Sequence, residues 1–167
     1  IKPNKRDVSL HFDGDYITPD RNCLGDLSVR WLYGAPGSGL KVNGTLELSA
    51  ATTAFKGWEG YDFRDDTRVF EDQTFTYPDM KTDAEGHASI NTYYEVNKAA
   101  TPGMLNAGFT FRAFEPGGDF STSYSSIRMS PFSTYVGIKT ELDKDEWGDT
   151  FLTAGKPHRV EVATGGA

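Results

Sequence analysis

Carboxylates are the side chains of this chain best placed to do chemistry, and they cluster twice. The stretch "GYDFRDDTRVFED" gathers Asp62, Asp65, Asp66, Glu71 and Asp72, and two carboxyl groups held at the right separation are all that glycoside hydrolysis requires. Nothing in their spacing sets that separation, and an acidic surface loop accounts for the cluster without catalysis. The second group, "DKDEWGD" at 143–149, opens D-x-D and carries Gly148 like a calcium loop. Trp147 stands at the third ligand position, however, and Ala154 where the bidentate Glu belongs. It therefore reads as a solvated hairpin tip, and no metal site is assigned.

Other catalytic residue types are isolated. His11, His87 and His158 lie far apart, with no second His or Cys at ligand spacing, and the first two fall on the polar phase of strand-like runs. The single cysteine, Cys23, has no basic neighbour in sequence to favour its thiolate. There is no G-x-S-x-G, no H-E-x-x-H, and no glycine-rich phosphate loop leading into a helix. The sequon Asn43-Gly44-Thr45 is a weak match to a glycosylation site.

Aromatics offer a different chemistry. Trp58, Tyr61 and Phe63 in "GWEGYDF", with Tyr93 and Tyr94, could stack sugar rings, and Trp58, Tyr61 and Tyr93 form the candidate binding surface. Since 13% of the chain is aromatic, burial in a core explains most of these rings. No cofactor is expected from any of these groups.

Such residues must be carried by something, and composition points to strands. The chain holds 18 Gly and 8 Pro with no long run of helix formers. In "LKVNGTLEL", Leu40, Val42, Leu46 and Leu48 share one face while Lys41, Asn43, Thr45 and Glu47 share the other. Leu27, Val29, Trp31 and Tyr33 alternate in the same way just before. Between the two runs, "GAPGSG" predicts a sharp reversal between core strands, with Gly34, Gly37 and Gly39 able to take positive φ. The pattern recurs at Val8, Leu10 and Phe12, at Ala88, Ile90, Thr92 and Tyr94, and at Ala107, Phe109, Phe111 and Ala113. Turn signals separate these runs. Residues 51–77 are less regular and predict one or two strands around a long excursion. An antiparallel sandwich fits better than a parallel sheet.

Length and charge bound the rest. At 167 residues the chain suits one domain, or one domain with a piece of the next. Its net charge of -7 disfavours nucleic acid and anionic membrane as partners. No run approaches the ~18 apolar residues of a spanning helix, so no membrane insertion is expected of this stretch, and "IKPNKRDVS" lacks a signal-peptide apolar region. The first residue is not Met and the end "EVATGGA" follows a strand-like run at once, which reads as a piece of a longer protein. The pattern changes after Met129, placing a boundary between Ser130 and Ser133: residues 1–131 form one sandwich, and 132–167 are either the opening strands of a following domain or strands added to the first.

The blocks "WLYGAPGSGLKVNGTLEL", "FKGWEGYDF", "TDAEGHASI", "FRAFEPGGDFSTSYSSI" and "TYVGIK", in that order, resemble the bacterial alpha-2-macroglobulin family from about Val8 to Val162. The resemblance implies a macroglobulin-like domain, a seven-stranded fibronectin type III-like sandwich from the N-terminal half of a large multidomain protein. Such proteins are protease traps, outside the cytoplasm in the periplasm or at the cell surface, with a lipid anchor elsewhere in the chain as one option. Partners would then be neighbouring domains and, through the full-length protein, proteases. The thioester motif Cys-x-Glu-Gln of many members is absent, since Leu24, Gly25 and Asp26 follow Cys23. A non-catalytic structural module is the expectation; a carbohydrate-binding or adhesin-like sandwich using Trp58, Tyr61 and Tyr93 is the alternative, and a hydrolase using the acidic cluster is a third.

Overall fold

The computed structural model describes residues 6–167. Twelve strands follow in order: β1 (Arg6–His11), β2 (Tyr16–Ile17), β3 (Leu24–Trp31), β4 (Lys41–Ala50), β5 (Gln73–Lys81), β6 (His87–Asn91), β7 (Leu105–Phe114), β8 (Phe120–Met129), β9 (Tyr135–Thr140), β10 (Asp143–Lys144), β11 (Thr150–Phe151) and β12 (Val160–Gly165). Among the described residues the only helical turn is a 3-10 turn at Lys98–Ala100.

Two sheets face each other. One has the order β1-β3-β6, and the other β2-β8-β7-β4-β5. Setting aside β2, which adds a two-residue parallel pairing to β8, three strands oppose four. The first, second and fifth of these seven lie in one sheet, and every pairing among the seven is antiparallel. That is the fibronectin type III-like sandwich, and it places β3 and β4 in different sheets. The expected sharp reversal at "GAPGSG" is present, with Arg30 bridged to Pro36 and the Gly37 amide donating to the Val29 carbonyl at 2.8 Å, and beyond it the chain crosses to the other sheet. The reason is that both edges of β3 are already paired, to β1 and β6, so β4 has no place beside it. Of the three glycines, Gly34 and Gly39 take positive φ. Gly37 instead serves close packing, since a Cβ there would lie 2.8 Å from Val29 Cγ1 and 2.9 Å from Leu40 Cδ1.

Alternation puts the apolar faces inside. Leu27 and Val29 of β3 meet Val42, Leu46 and Leu48 of β4 and Ala107, Phe109, Phe111 and Ala113 of β7 in one buried cluster. Tyr77 of β5 lies 5.2 Å from Phe111 between centroids. Its hydroxyl donates to the Asn91 carbonyl at 2.5 Å, tying the edge of one sheet to the end of the other. Burial pushes that phenol above its ordinary range, so it stays a donor.

One charge is taken inside. The Arg6 side chain is 1% exposed and pairs through Nη2 with Glu115 at 2.6 Å. Its guanidinium lies 5.1 Å from the Trp31 ring centroid, and Nη1 reaches the Ala113 carbonyl at 3.4 Å. The pair joins β1 to the turn after β7, across the two sheets.

Beyond β8 the chain builds a separate antiparallel ribbon, β9 with β12, and the small hairpin β10-β11 interrupts it. A second buried cluster, Phe63, Met104 and Tyr135 with Tyr16, Phe55, Tyr61 and Phe132, lies between sandwich and ribbon.

Two stability outcomes follow from this packing. Phe109→Ala is expected to cost about 3–5 kcal/mol, read as a lower denaturation midpoint at unchanged slope. Glu115→Gln is expected to destabilise more than Arg6→Met in the same assay, because only the first leaves a buried guanidinium without its counter-charge.

Candidate functional site

The candidate aromatics do not form one surface. Trp58 is 40% exposed and meets Tyr61 edge to face, with centroids 5.4 Å apart and planes at 85°. Tyr93 packs against the main sandwich core, with its hydroxyl buried and unpaired. Burial is the leading cause that raises the Tyr93 phenol. Tyr61 is committed as well: its hydroxyl donates to Glu161 Oε2 at 2.9 Å, which raises its pKa, and Lys139 Nζ sits 5.8 Å from its ring centroid.

Three of the five carboxylates of the acidic cluster are engaged within their own loop. Asp62 accepts from the Arg64 amide at 2.9 Å. Asp65 accepts from Thr67 through both amide and hydroxyl, which holds its carboxyl below the usual range, and it also pairs with Arg68 at 2.8 Å. Asp66 pairs with Arg64, while Glu71 and Asp72 face solvent. The amide bonds of Asp62 and Asp65 are those of tight Asx turns, which fix loop shape, and no two carboxyl groups of the cluster face each other across a cleft in these contacts.

The 143–149 loop is likewise a bonded hairpin. Asp145 Oδ1 accepts from the amides of Trp147 and Asp149 at 3.0 and 2.9 Å. Asp143 accepts from Thr153 and Lys156, which lowers its pKa to about 2. Among the described residues no three His, Cys, Asp or Glu side chains converge as a metal site. His11 lies 3.5 Å from Asp13, His87 lies 2.8 Å from Asp26, and His158 Nε2 approaches the Thr153 carbonyl. The Cys23 thiol donates to the carbonyls of Thr18 and Pro19. Asn43 of the sequon donates to Asp79 at 3.2 Å from within β4, which is paired on both sides.

Apolar side chains are exposed at both ends of the sandwich, besides Tyr124 in the middle of β8 and Val69 on the excursion. Where the chain enters the sandwich, beside Arg6 and Trp31, the side chains of Leu32, Tyr33 and Phe120 are exposed, Tyr33 at 79%. The register sets this end, at Lys41 and Phe114, opposite the end at Ala50 and Leu105, where the second core and the ribbon lie. Eight of the fifteen large apolar side chains exposed among the described residues fall in 132–167, so this short segment carries about half of them. Pairing aligns Val136, Ile138 and Thr140 of β9 with Thr164, Val162 and Val160 of β12. One face of the ribbon is thus entirely β-branched, and its four Val and Ile side chains are exposed. Tyr135, Gly137 and Ala163, on the other face, are buried.

Two features escaped sequence reasoning. The β-branched ribbon face was visible as alternation in "YVGIKT" and "RVEVAT", but which phase was covered depended on a partner remote in sequence. The buried Arg6–Glu115 pair had no local signal at all. A groove of about 570 Å³ between residues 63–68 and β9 is lined by Phe63, Phe132, Val136 and Ile138 together with the paired Asp65–Arg68 and Arg64–Asp66, so its charges are already engaged.

Comparison with known proteins agrees with the all-β sandwich described above. The chain is similar in fold to the native conformation of E. coli alpha-2-macroglobulin, with a TM-score of 0.66 at 20% identity over 98% of this chain and 11% of that one. Similar too are trypsin-activated E. coli alpha-2-macroglobulin, with a TM-score of 0.65 at 21% identity over 89% and 10%, and Salmonella alpha-2-macroglobulin reacted with methylamine, with a TM-score of 0.63 at 17% identity over 100% and 11%. The chain thus spans about a tenth of the length of these relatives. No curated protein sequence matches it. The sequence model of the bacterial alpha-2-macroglobulin MG5 domain matches residues 5–122, which is most of the chain and nearly the whole sandwich, and the chain therefore belongs to the bacterial alpha-2-macroglobulin family.

Proposed function

We propose that this chain is a non-catalytic structural module of a bacterial alpha-2-macroglobulin-like protease trap, working outside the cytoplasm, in the periplasm or at the cell surface. In this reading residues 6–131 are one link in a string of sandwiches and residues 132–167 are the opening strands of the next. The observation that carries it is the placement of uncovered apolar surface. Leu32, Tyr33 and Phe120 lie where the chain enters, and the β-branched face of β9 and β12 lies where it leaves. A link in a string needs docking surface at both ends, whereas a free-standing binding domain gains nothing from it. A two-stranded ribbon is also marginal in water by itself, so Val136, Ile138, Val160 and Val162 call for a facing sheet.

The module's contribution to trapping is mechanical: it packs against neighbouring domains and passes on the rearrangement that follows cleavage elsewhere in the protein. Covalent capture of a protease is outside its reach, because Cys23 lacks the Glu-Gln that thioester formation requires. Sugar stacking would need coplanar exposed rings, whereas Trp58 and Tyr61 stand at 85°.

Two outcomes test this. When the full-length protein is mixed with a panel of proteases, a specific cut outside this module, followed by compaction with the protease retained, is expected on native gels and in scattering; unspecific digestion without compaction would overturn the trap. In hydrogen exchange, amides of β12 are expected to be protected at least about tenfold more in a longer chain than in residues 1–167 alone. Equal protection in the two would make the ribbon part of the first domain.

A further inference from the structure

β4 and β5 are neighbours in one sheet, and antiparallel neighbours need a loop of only about 2–5 residues. Here residues 51–72 intervene, with no strand of their own beyond a single bridge at Asp62. Loops longer than about 12–15 residues without regular structure are uncommon in compact domains and usually serve a function. This one is bonded firmly at both ends of its reach.

On the sandwich side, the Ala51 amide donates to the Met104 carbonyl at 3.0 Å and the Asp65 amide to the Pro102 carbonyl at 2.8 Å. Thr53 Oγ1 accepts from the Met104 amide at 2.8 Å, and Arg68 Nη1 donates to the Lys98 carbonyl at 3.0 Å. On the ribbon side, Asp62 and Ile138 exchange two backbone hydrogen bonds of 2.8 and 2.9 Å, so the excursion adds itself to the free edge of β9. Tyr61 bonds to Glu161 of β12. The rings of Phe55 and Phe63, 4.9 Å apart and nearly perpendicular, lie beneath the ribbon's inner face.

That inner face is shaped for the seat. Its central residues are Gly137, Ala163 and Gly165, paired across the ribbon with Ala163 opposite Gly137 and Gly165 opposite Tyr135. A Cβ on Gly137 would lie 2.6 Å from Phe63 Cζ and 2.7 Å from its Cδ1, and one on Gly165 would lie 3.4 Å from Phe55 Cδ2. Only a strand with glycine at position 137 lets the Phe63 ring come this close, while the pairing of Lys139 with Glu161 flanks Tyr61 at the far end.

We propose that residues 51–72 are a clasp whose aromatic seat accepts one partner, the small-residue face of the β9–β12 ribbon, and locks it to the sandwich as a single rigid body with Phe63 against Gly137 as the keyed contact. The connecting segment 130–134 is short and is tethered at Ser130, whose amide donates to the Ile17 carbonyl and whose hydroxyl bonds to that of Tyr135, but it has no regular structure to hold the far end of the ribbon. The clasp holds that end. The further step, that two successive domains of the protein then rotate together, rests on the reading of 132–167 given above; the clasp itself does not.

The test uses the 167-residue protein. Gly137→Val keeps strand propensity but fills the seat. It is expected to speed amide exchange at Asp62 and Ile138 and proteolytic cutting at 130–134 by about tenfold or more, with Leu46 and Phe109 amides unchanged. Adding Phe63→Ala to Gly137→Val is expected to slow both rates again, because the valine then occupies the space the ring vacated. If the valine variant fails to fold, Tyr61→Phe, which removes only the bond to Glu161, is expected to raise the same two rates about threefold. Wild-type exchange and cutting in Gly137→Val, or loosening that Phe63→Ala does not relieve, would overturn the keyed contact. Wild-type rates in Tyr61→Phe would overturn the clasp if that variant is the only one available. None of these readouts involves a protease trap, so the clasp and the trap can fail separately.

Discussion

An antiparallel strand has two faces, and each must be covered or polar. That constraint organises the whole molecule. In the sandwich it is met internally: β4 and β7 turn Val42, Leu46, Leu48, Phe109 and Phe111 inward against Leu27 and Val29, and their outer faces carry Asn43, Thr45, Thr110 and Arg112. In the ribbon it is met on one side only. Tyr135, Gly137 and Ala163 are covered by the excursion, while Val136, Ile138, Val160 and Val162 are left bare. At roughly 25 cal/mol per Å² of apolar area, four exposed β-branched side chains are a standing incentive for association.

The two ends of the sandwich solve the problem of attachment with different physics. At the entry end, a guanidinium buried under Trp31 is held by Glu115 and a carbonyl. Such a pair is directional and intolerant of losing one partner, and its contribution lies in fixing geometry more than in net stability. At the exit end, rings and glycines meet, and the contact depends on shape. Shape contacts of this kind come apart as a unit or not at all, because half a ring's worth of separation already forfeits much of the dispersion energy.

Much of the sandwich was legible in the sequence because period-two alternation is local. Val42, Leu46 and Leu48, and Ala107 through Ala113, announce their faces without reference to anything distant. Which strands pair was not legible. The glycine-rich corner after Trp31 was legible as a sharp reversal between core strands, but that the chain then crosses to the other sheet follows only from the pairing of β3 on both edges. The excursion was recognised as irregular, but its role was hidden, since Phe63 finds Gly137 through tertiary folding and neither residue signals the other. For the same reason the candidate aromatics separated, Tyr61 going to the seat, Trp58 staying exposed against its edge, and Tyr93 going to the main core. Of the carboxylates that looked available for chemistry, Asp62 and Asp65 accept from amides two residues on and Asp145 from amides two and four residues on, a competition that spacing in sequence hints at but does not decide.

The distribution of restraint then says where motion can occur. The hairpin between β9 and β12 carries exposed Leu142, Trp147, Phe151 and Leu152, with its order supplied by Asp143 and Asp145. It has few apolar contacts to lose and belongs to the low-stability end of the molecule. The clasp, by contrast, is anchored on both sides by backbone hydrogen bonds and a buried aromatic cluster, so opening it would expose Phe63, Met104 and Tyr135 together. In the role proposed above, a rearrangement passing through this module meets a stiff joint between sandwich and ribbon and a soft arm beyond it, so that force applied at the ribbon moves the sandwich with it and adjustment to a neighbour is left to the hairpin and the exposed β-branched face.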